Sequence, residues 1–235
     1  MSYKEFYSYV KKEHVKVMLE LGSRDLDEAI DLLKYFDNSI IYSFECNPEC
    51  LVECDKRLAI LNDDFKKRLL LIRKAVSITD GNINFYPFDP TKDTNLGASS
   101  LLKIDYSLLA PWENEYNRPN PQCQIIVEGI RLDTFMDKSK ITDIDLICID
   151  LQGYELNALK SLGKYLHNVK YIITECNIQS LYTEGASFKD LDEYLKTFNF
   201  KYVVSNKFGT NYPDLSLRGY SEFDAVFVNT RFNDL

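Results

Sequence analysis

Four short apolar runs each deliver a carboxylate at or near their carboxyl end. They are Glu20 in VKVMLELG (15–22), Glu45 in SIIYSFEC (39–46), Asp150 in IDLICIDLQG (144–153) and Glu175 in VKYIITECN (169–177). Clustered carboxylates are costly, because each loses hydration and repels its neighbours unless a cation or a hydrogen-bond donor fills the space between them. In open α/β sheets ligands bind outside the carboxyl ends of the strands. Acids at four such ends therefore point to a ligand site, whereas any one alone would read as a helix cap or a surface acid.

The elements that must position these acids follow from the apolar pattern. LLLIRKAVS (69–77), FKYVVSN (200–206) and FDAVFVN (223–229) add three more strand-like runs. Several runs are apolar at consecutive positions, as expected of strands covered on both faces. Helical stretches lie between them: DLDEAIDLLKYF, PECLVECDKRLAIL with Pro48 at a first-turn position, YELNALKSLGKYL and SFKDLDEYLKTF. This alternation predicts an α/β, doubly wound and mainly parallel sheet. KFGTNYPDLSLRGYSE, between the last two runs, carries no strong helix signal, so the finish should be antiparallel. The chain reads as one domain over 1–235, with an N-terminal helix over 1–14. Residues 78–122 form an insertion that contains an extra strand (NINFYPF) and a loop with Trp112, Tyr116 and Arg118, a candidate lid or sugar-stacking element.

Composition narrows the function. A net charge of -8 disfavours a nucleic-acid partner, since phosphate contacts need clustered Lys and Arg. No apolar run approaches the length of a membrane span and no signal peptide is visible, so a cytoplasmic protein is expected. The six cysteines then read as reduced thiols. Cys46, Cys50 and Cys54 recur at every fourth residue and could hold a metal, but Cys46 precedes the helix, and small buried core residues are the better reading. His14 and His167 lie away from the strand ends, which leaves a Ser-His-Asp or Cys-His arrangement without a base.

The first turn, Gly22-Ser23-Arg24-Asp25-Leu26, has one glycine and added negative charge. A dinucleotide needs a glycine-rich loop for its pyrophosphate, and a Walker lysine loop is absent too. Glu45, at the end of the next strand, is placed to accept bonds from ribose hydroxyls. The set suits a nucleoside carrying an amine and a sulfonium, which is S-adenosyl-L-methionine.

LELGSRD, YSFECNP, KAVSITDGNINFY, NLGASSL, VEGIRLDTFM and IDLICIDLQGYELNALKSL occur in the order of a known family. With them the chain resembles the FkbM-type S-adenosylmethionine-dependent methyltransferases from about residue 15 to 180. The resemblance implies a Rossmann-like seven-stranded class I methyltransferase sheet of order 3-2-1-4-5-7-6, with helices on both faces. It also implies cofactor contacts at Glu20, Gly22 and Ser23 for the methionyl part, with Asp25 beside them. Glu45 with Cys46 would hold the ribose, and Ala75 and Val76, through Ser77, the adenine side. The Ser99-Ser100 turn would approach cofactor or acceptor, and Asp150 would stand beside the reacting methyl. Two positions depart from the family pattern: Leu26 replaces a second glycine, and Gln152 replaces the glutamate of D-x-E-G.

Methyl transfer asks for in-line alignment and a base for the acceptor proton. Asp150 is the first catalytic candidate and Glu175 the second. The same pair could instead hold Mg²⁺ or Mn²⁺ and lower the pKa of the acceptor hydroxyl. Glu155 reads equally as facing outward or into the site. A small hydroxylated acceptor, above all a sugar, fits family and charge, which makes an O-methyltransferase the leading reading. The alternatives are an RNA or protein methyltransferase, which would need a basic rim, and a non-catalytic binding module. Oligomeric state is not legible.

Overall fold

Each apolar run becomes a strand because its β-branched and aromatic side chains can pack on both sides of a pleated sheet. The computed structural model describes residues 3–89, 91, 95–106, 122–217 and 222–232. In chain order the strands are β1 (Val17–Leu21), β2 (Ile40–Phe44), β3 (Leu69–Ile72), β4 (Ala75–Val76), β5 (Gly81–Phe85), β6 (Ile125–Ile130), β7 (Ile144–Ile149), β8 (Val169–Asn177), β9 (Phe200–Ser205) and β10 (Glu222–Asn229). The helices are α1 (Asp27–Tyr35), α2 (Pro48–Ile60), α3 (Asp63–Arg68), α4 (Leu132–Ser139), α5 (Glu155–Ser161) and α6 (Phe188–Lys196). Seven strands form one sheet in the order β3-β2-β1-β7-β8-β10-β9. Counted without the short strands β4 to β6, this is the expected 3-2-1-4-5-7-6, and β10 runs antiparallel to both neighbours.

Alternate residues of the central strands feed two cores. On one face Leu19, Ile147 and Ile172 pack against Leu132 and Met136 of α4, Leu159 of α5 and Leu191 of α6. On the other, Met18, Leu146 and Ile173 pack against Leu32 and Leu33 of α1 and Cys54 of α2, with Tyr3, Phe6 and Tyr7 from the N-terminus. The N-terminal segment is a pair of 3-10 helices, Tyr3–Tyr9 and Lys12–His14, rather than the expected single helix. Its aromatic anchors fix it to the sheet.

The structure divides the run at 69–77. Leu69–Ile72 stays in the main sheet, while Ala75–Val76 joins β6 and β5 in a second, three-stranded sheet. β6, α3 and α4 are further elements that the apolar pattern did not announce. Of the 78–122 insertion, β5 and a 3-10 turn at Leu96–Ala98 are described. Trp112, Tyr116 and Arg118 fall outside the described residues. All six cysteines are free thiols, with Cys50 and Cys54 buried on α2. Among the described residues no helix is long and apolar enough to cross a membrane.

α6 shows how the edge opposite β3 is held. Ser187 and Asp190 form a capping box, and Phe188 stands at the helix start with its ring against those of Tyr202, Tyr212, Phe223 and Phe227. Truncating a fully buried phenylalanine removes its transfer energy and leaves a cavity. Phe188→Ala is expected to lower unfolding free energy by about 3–5 kcal/mol in a urea titration, and a loss below about 1 kcal/mol would show that α6 packs loosely.

Candidate functional site

The carboxyl ends of β1, β2 and β7 are tied together by backbone. Gly22 and Ser23 N–H both donate to Phe44 O, and Asp150 N–H donates to Leu21 O. Gly22 has φ +92°, and a Cβ there would lie 2.0 Å from the Asp150 carbonyl oxygen. Only glycine permits both the conformation and this approach. The arrangement opens a cavity walled by Glu20, Ser23, Glu45, Val76, Ser99 and Asp150 among others.

Each acid in this wall is held by fixed donors. Glu45 accepts from the N–H groups of Arg24 at 2.8 Å and of Cys46 and Asn47 at 2.7 Å. Glu20 accepts from Ser23 Oγ at 2.6 Å. Burial nevertheless outweighs these bonds and pushes both carboxyls up to about 7. Asn47 caps α2, and its amide reaches Ser99 Oγ at 3.4 Å. Ser100 Oγ donates to Gln152 O at 2.8 Å, so the 95–100 loop is pinned across the strand ends.

Beside the cavity the turn 150–153 carries a second network. Gln152 Nε2 donates to Asp150 Oδ1 at 2.8 Å and Glu175 Oε2 at 2.9 Å, while its Oε1 accepts from Tyr182 at 2.9 Å. Glu155 resolves as a buried structural acid: its Oε1 accepts from Leu151 and Gly153 N–H, and burial raises it to about 7. Asp150 is raised by burial, and the Gln152 amide opposes that shift. Glu175 is held well above the carboxylate range by burial and by the charges of Asp150, Glu155 and Glu222. Asp150 and Glu175 thus form a pair bridged by the Gln152 amide, with Asp150 on the cavity wall and Glu175 behind it.

The structure places Glu20, Gly22, Ser23, Asp25, Glu45, Cys46, Ala75, Val76, Ser99 and Asp150 on one cavity wall. Ser77 lies off it, with its N–H on Ile130 O. Glu175, also outside the wall, sits inside β8 and reaches the site through Gln152. The metal reading finds no support. Among the described residues no three His, Cys, Asp or Glu side chains gather for a cation. The Gln152 amide directs donor hydrogens into the space where Mg²⁺ or Mn²⁺ would need acceptors. Wall residues that the sequence did not single out include Tyr3, Glu28, Asn47, Gly97 and Tyr154. Only Asn47, in its Asn-Pro helix start, carried a local signal.

Glu20, Glu45, Glu155 and Asp224 are all pushed up by burial to about 7 in the fold, above the ordinary carboxylate range. Groups raised in this way stabilise the fold fully at low pH and lose that contribution as pH climbs through the folded value. The melting temperature of the ligand-free protein should therefore fall between about pH 5 and pH 8. Gln152→Glu, which inserts another carboxyl between Asp150 and Glu175, should steepen the fall. A melting temperature that rose over this window would show these acids to be ionised in the fold.

Comparison with known proteins agrees with this geometry. Residues 21–202 match the Methyltransferase FkbM domain. The chain is 26% identical to the 2-O-methyltransferase NoeI of Sinorhizobium fredii over 184 residues, 77% of this chain and 72% of that protein. Among solved structures, M. capricolum TrmK with S-adenosyl-homocysteine superposes at a TM-score of 0.51 and 12% identity. That match covers 96% of this chain and 66%, just under two thirds, of TrmK. Sp1610 of Streptococcus pneumoniae, in complex with S-adenosyl-L-methionine, gives 0.50 and 13%, covering 97% and 73%. At such identities these two speak for the fold alone, whereas the domain match spans most of the chain. The chain belongs to the FkbM methyltransferase family and is an S-adenosylmethionine-dependent methyltransferase.

Proposed function

We propose that the chain methylates a hydroxyl of a small polyol, a sugar or a glycosylated molecule, with Asp150 taking the acceptor proton. The observation that carries this reading is the Asp150 carboxylate itself. It lies on the cavity wall beside the Glu20–Ser23 turn, and the Gln152 amide orients it against Glu175. A carboxyl raised by burial is a stronger base than an ordinary one. S-adenosylmethionine supplies an electrophilic methyl when bound, and the chain need only hold donor and acceptor in line.

Within the cavity, Glu45 is assigned to the ribose hydroxyls, because three backbone N–H groups fix both its oxygens. Glu20 and Ser23 take the amino-acid end, and Ala75 and Val76 the adenine face. The name of the relative from S. fredii, a 2-O-methyltransferase, supports oxygen as the methylated atom. A net charge of -8 supports an uncharged acceptor over nucleic acid. The free thiols support a cytoplasmic setting. We assign residues 1–235 to a single domain.

Two variants separate binding from chemistry. Glu45→Ala should abolish the calorimetric heat of S-adenosylhomocysteine binding. Asp150→Asn should retain binding and reduce methyl transfer to a sugar hydroxyl by about 10²–10⁴-fold. Undiminished transfer by Asp150→Asn would remove Asp150 as the base. Methyl transfer to an RNA or peptide, with none to hydroxylated small molecules, would overturn the acceptor class.

A further inference from the structure

The turn that faces the amino-acid end of the proposed cofactor has spent its backbone donors and its serine hydroxyl. Gly22 and Ser23 N–H go to Phe44 O, Arg24 N–H to Glu45, and Asp25 and Leu26 N–H to Ser23 O. Asp27 N–H goes to Asp25 Oδ1, and Ser23 Oγ to Glu20. Arg24 is paired with Asp25 at 3.6 Å. Around this turn the cavity presents the acids Glu20, Asp25, Glu28 and Asp150. Such a wall answers an ammonium and a sulfonium well and a carboxylate badly. An amino-acid end carries a carboxylate too, and it needs a donor from elsewhere.

Tyr3 is that donor. It is 2% exposed, lines the same wall, and its hydroxyl has no hydrogen-bond partner among the described residues. Tyr7, one turn on, also has an unpartnered hydroxyl, but that one is sealed inside the core. Burial and the charges of Asp150 and Glu20 hold the Tyr3 phenol well above its ordinary value, so it stays protonated and can only donate to an anion. Its position is built. Tyr3 N–H donates to Glu28 Oε2 at 3.3 Å, Lys4 pairs with Asp31 at 2.5 Å, and Phe6, Tyr7 and Val10 are buried beneath α1. The Tyr7 ring stacks 4.6 Å from that of Tyr35.

We infer that Tyr3 is a cofactor-binding residue that donates to the carboxylate of the cofactor's amino-acid end, which makes the N-terminal 3-10 segment a wall of the cofactor site. This rests on the cofactor orientation proposed above, with the ribose on Glu45. The segment lies before residue 21, where the family match begins, so the assignment belongs to this chain's own N-terminus. Cofactor binding and docking of this segment are then one equilibrium: whatever loosens Phe6 or Tyr7 from α1 weakens the cofactor through Tyr3.

Calorimetry on wild type, Tyr3→Phe and Glu45→Ala tests this with two ligands. S-adenosylhomocysteine has the amino-acid end, and 5′-methylthioadenosine lacks it. Tyr3→Phe, which keeps the ring and its packing, should weaken S-adenosylhomocysteine by about 10- to 100-fold and leave 5′-methylthioadenosine within about twofold. Glu45→Ala should lose both ligands, which reports on the orientation independently of Tyr3. Unchanged S-adenosylhomocysteine binding by Tyr3→Phe would overturn the assignment. So would equal weakening of the two ligands, which would make Tyr3 a packing residue only. Wild-type protein that bound neither ligand, or Glu45→Ala that bound both normally, would overturn the orientation on which the assignment stands.

Discussion

Uncompensated carboxylate burial at one sheet edge governs this molecule. Glu20, Glu45, Glu155, Glu175 and Asp224 are each at most 8% exposed, and burial raises every one of them. Among the described residues they are held by backbone N–H groups, a serine hydroxyl and side-chain amides, which fix geometry without cancelling charge. An edge of this kind keeps a residual appetite for positive charge. A cofactor with a sulfonium and an ammonium satisfies it better than a phosphate would.

Holding the acids in place costs backbone strain, and the fold accepts it at two positions where the chain departs from its family's usual residues. Leu26 adopts φ +67° at the start of α1, where a glycine would sit at ease. A left-handed conformation in a non-glycine residue costs on the order of 1–3 kcal/mol, and full burial of the leucine side chain returns about 1.5–3 kcal/mol. Gln152 adopts φ +53°, and its side chain is spent entirely on Asp150, Glu175 and Tyr182. Replacing the family's glutamate by glutamine exchanges an acid for a donor at the one place where two acids already face each other. The exchange keeps Asp150 oriented and removes the basis for a cation site.

Tyr182 extends that network outward. Its hydroxyl lies 2.9 Å from both Ala98 O and Gln152 Oε1, and its ring packs on Gly153, where a Cβ would come within 2.9 Å of Tyr182 Cβ. The 95–100 loop, the 150–153 turn and the segment after β8 are therefore tied together by side-chain hydrogen bonds.

The main sheet was legible because its strands are apolar on both faces and alternate with helices, a pattern set by local chemistry. The antiparallel finish and the acids at the strand ends followed, since a residue at a strand end is placed by its own strand, whereas the strand order came only through the resemblance to the family. Tertiary structure decided what depends on contacts between distant segments. The run at 69–77 was split between two sheets because Ala75–Val76 finds its hydrogen bonds on β6, some fifty residues on in the chain. Glu155 turned inward because the amides of Leu151 and Gly153 needed an acceptor. What lies between Asp150 and Glu175 hung on where one glutamine amide pointed. Tyr3, far from every motif, became a cavity residue only because aromatic packing under α1 delivers it there, and no local pattern encodes the far end of such a contact.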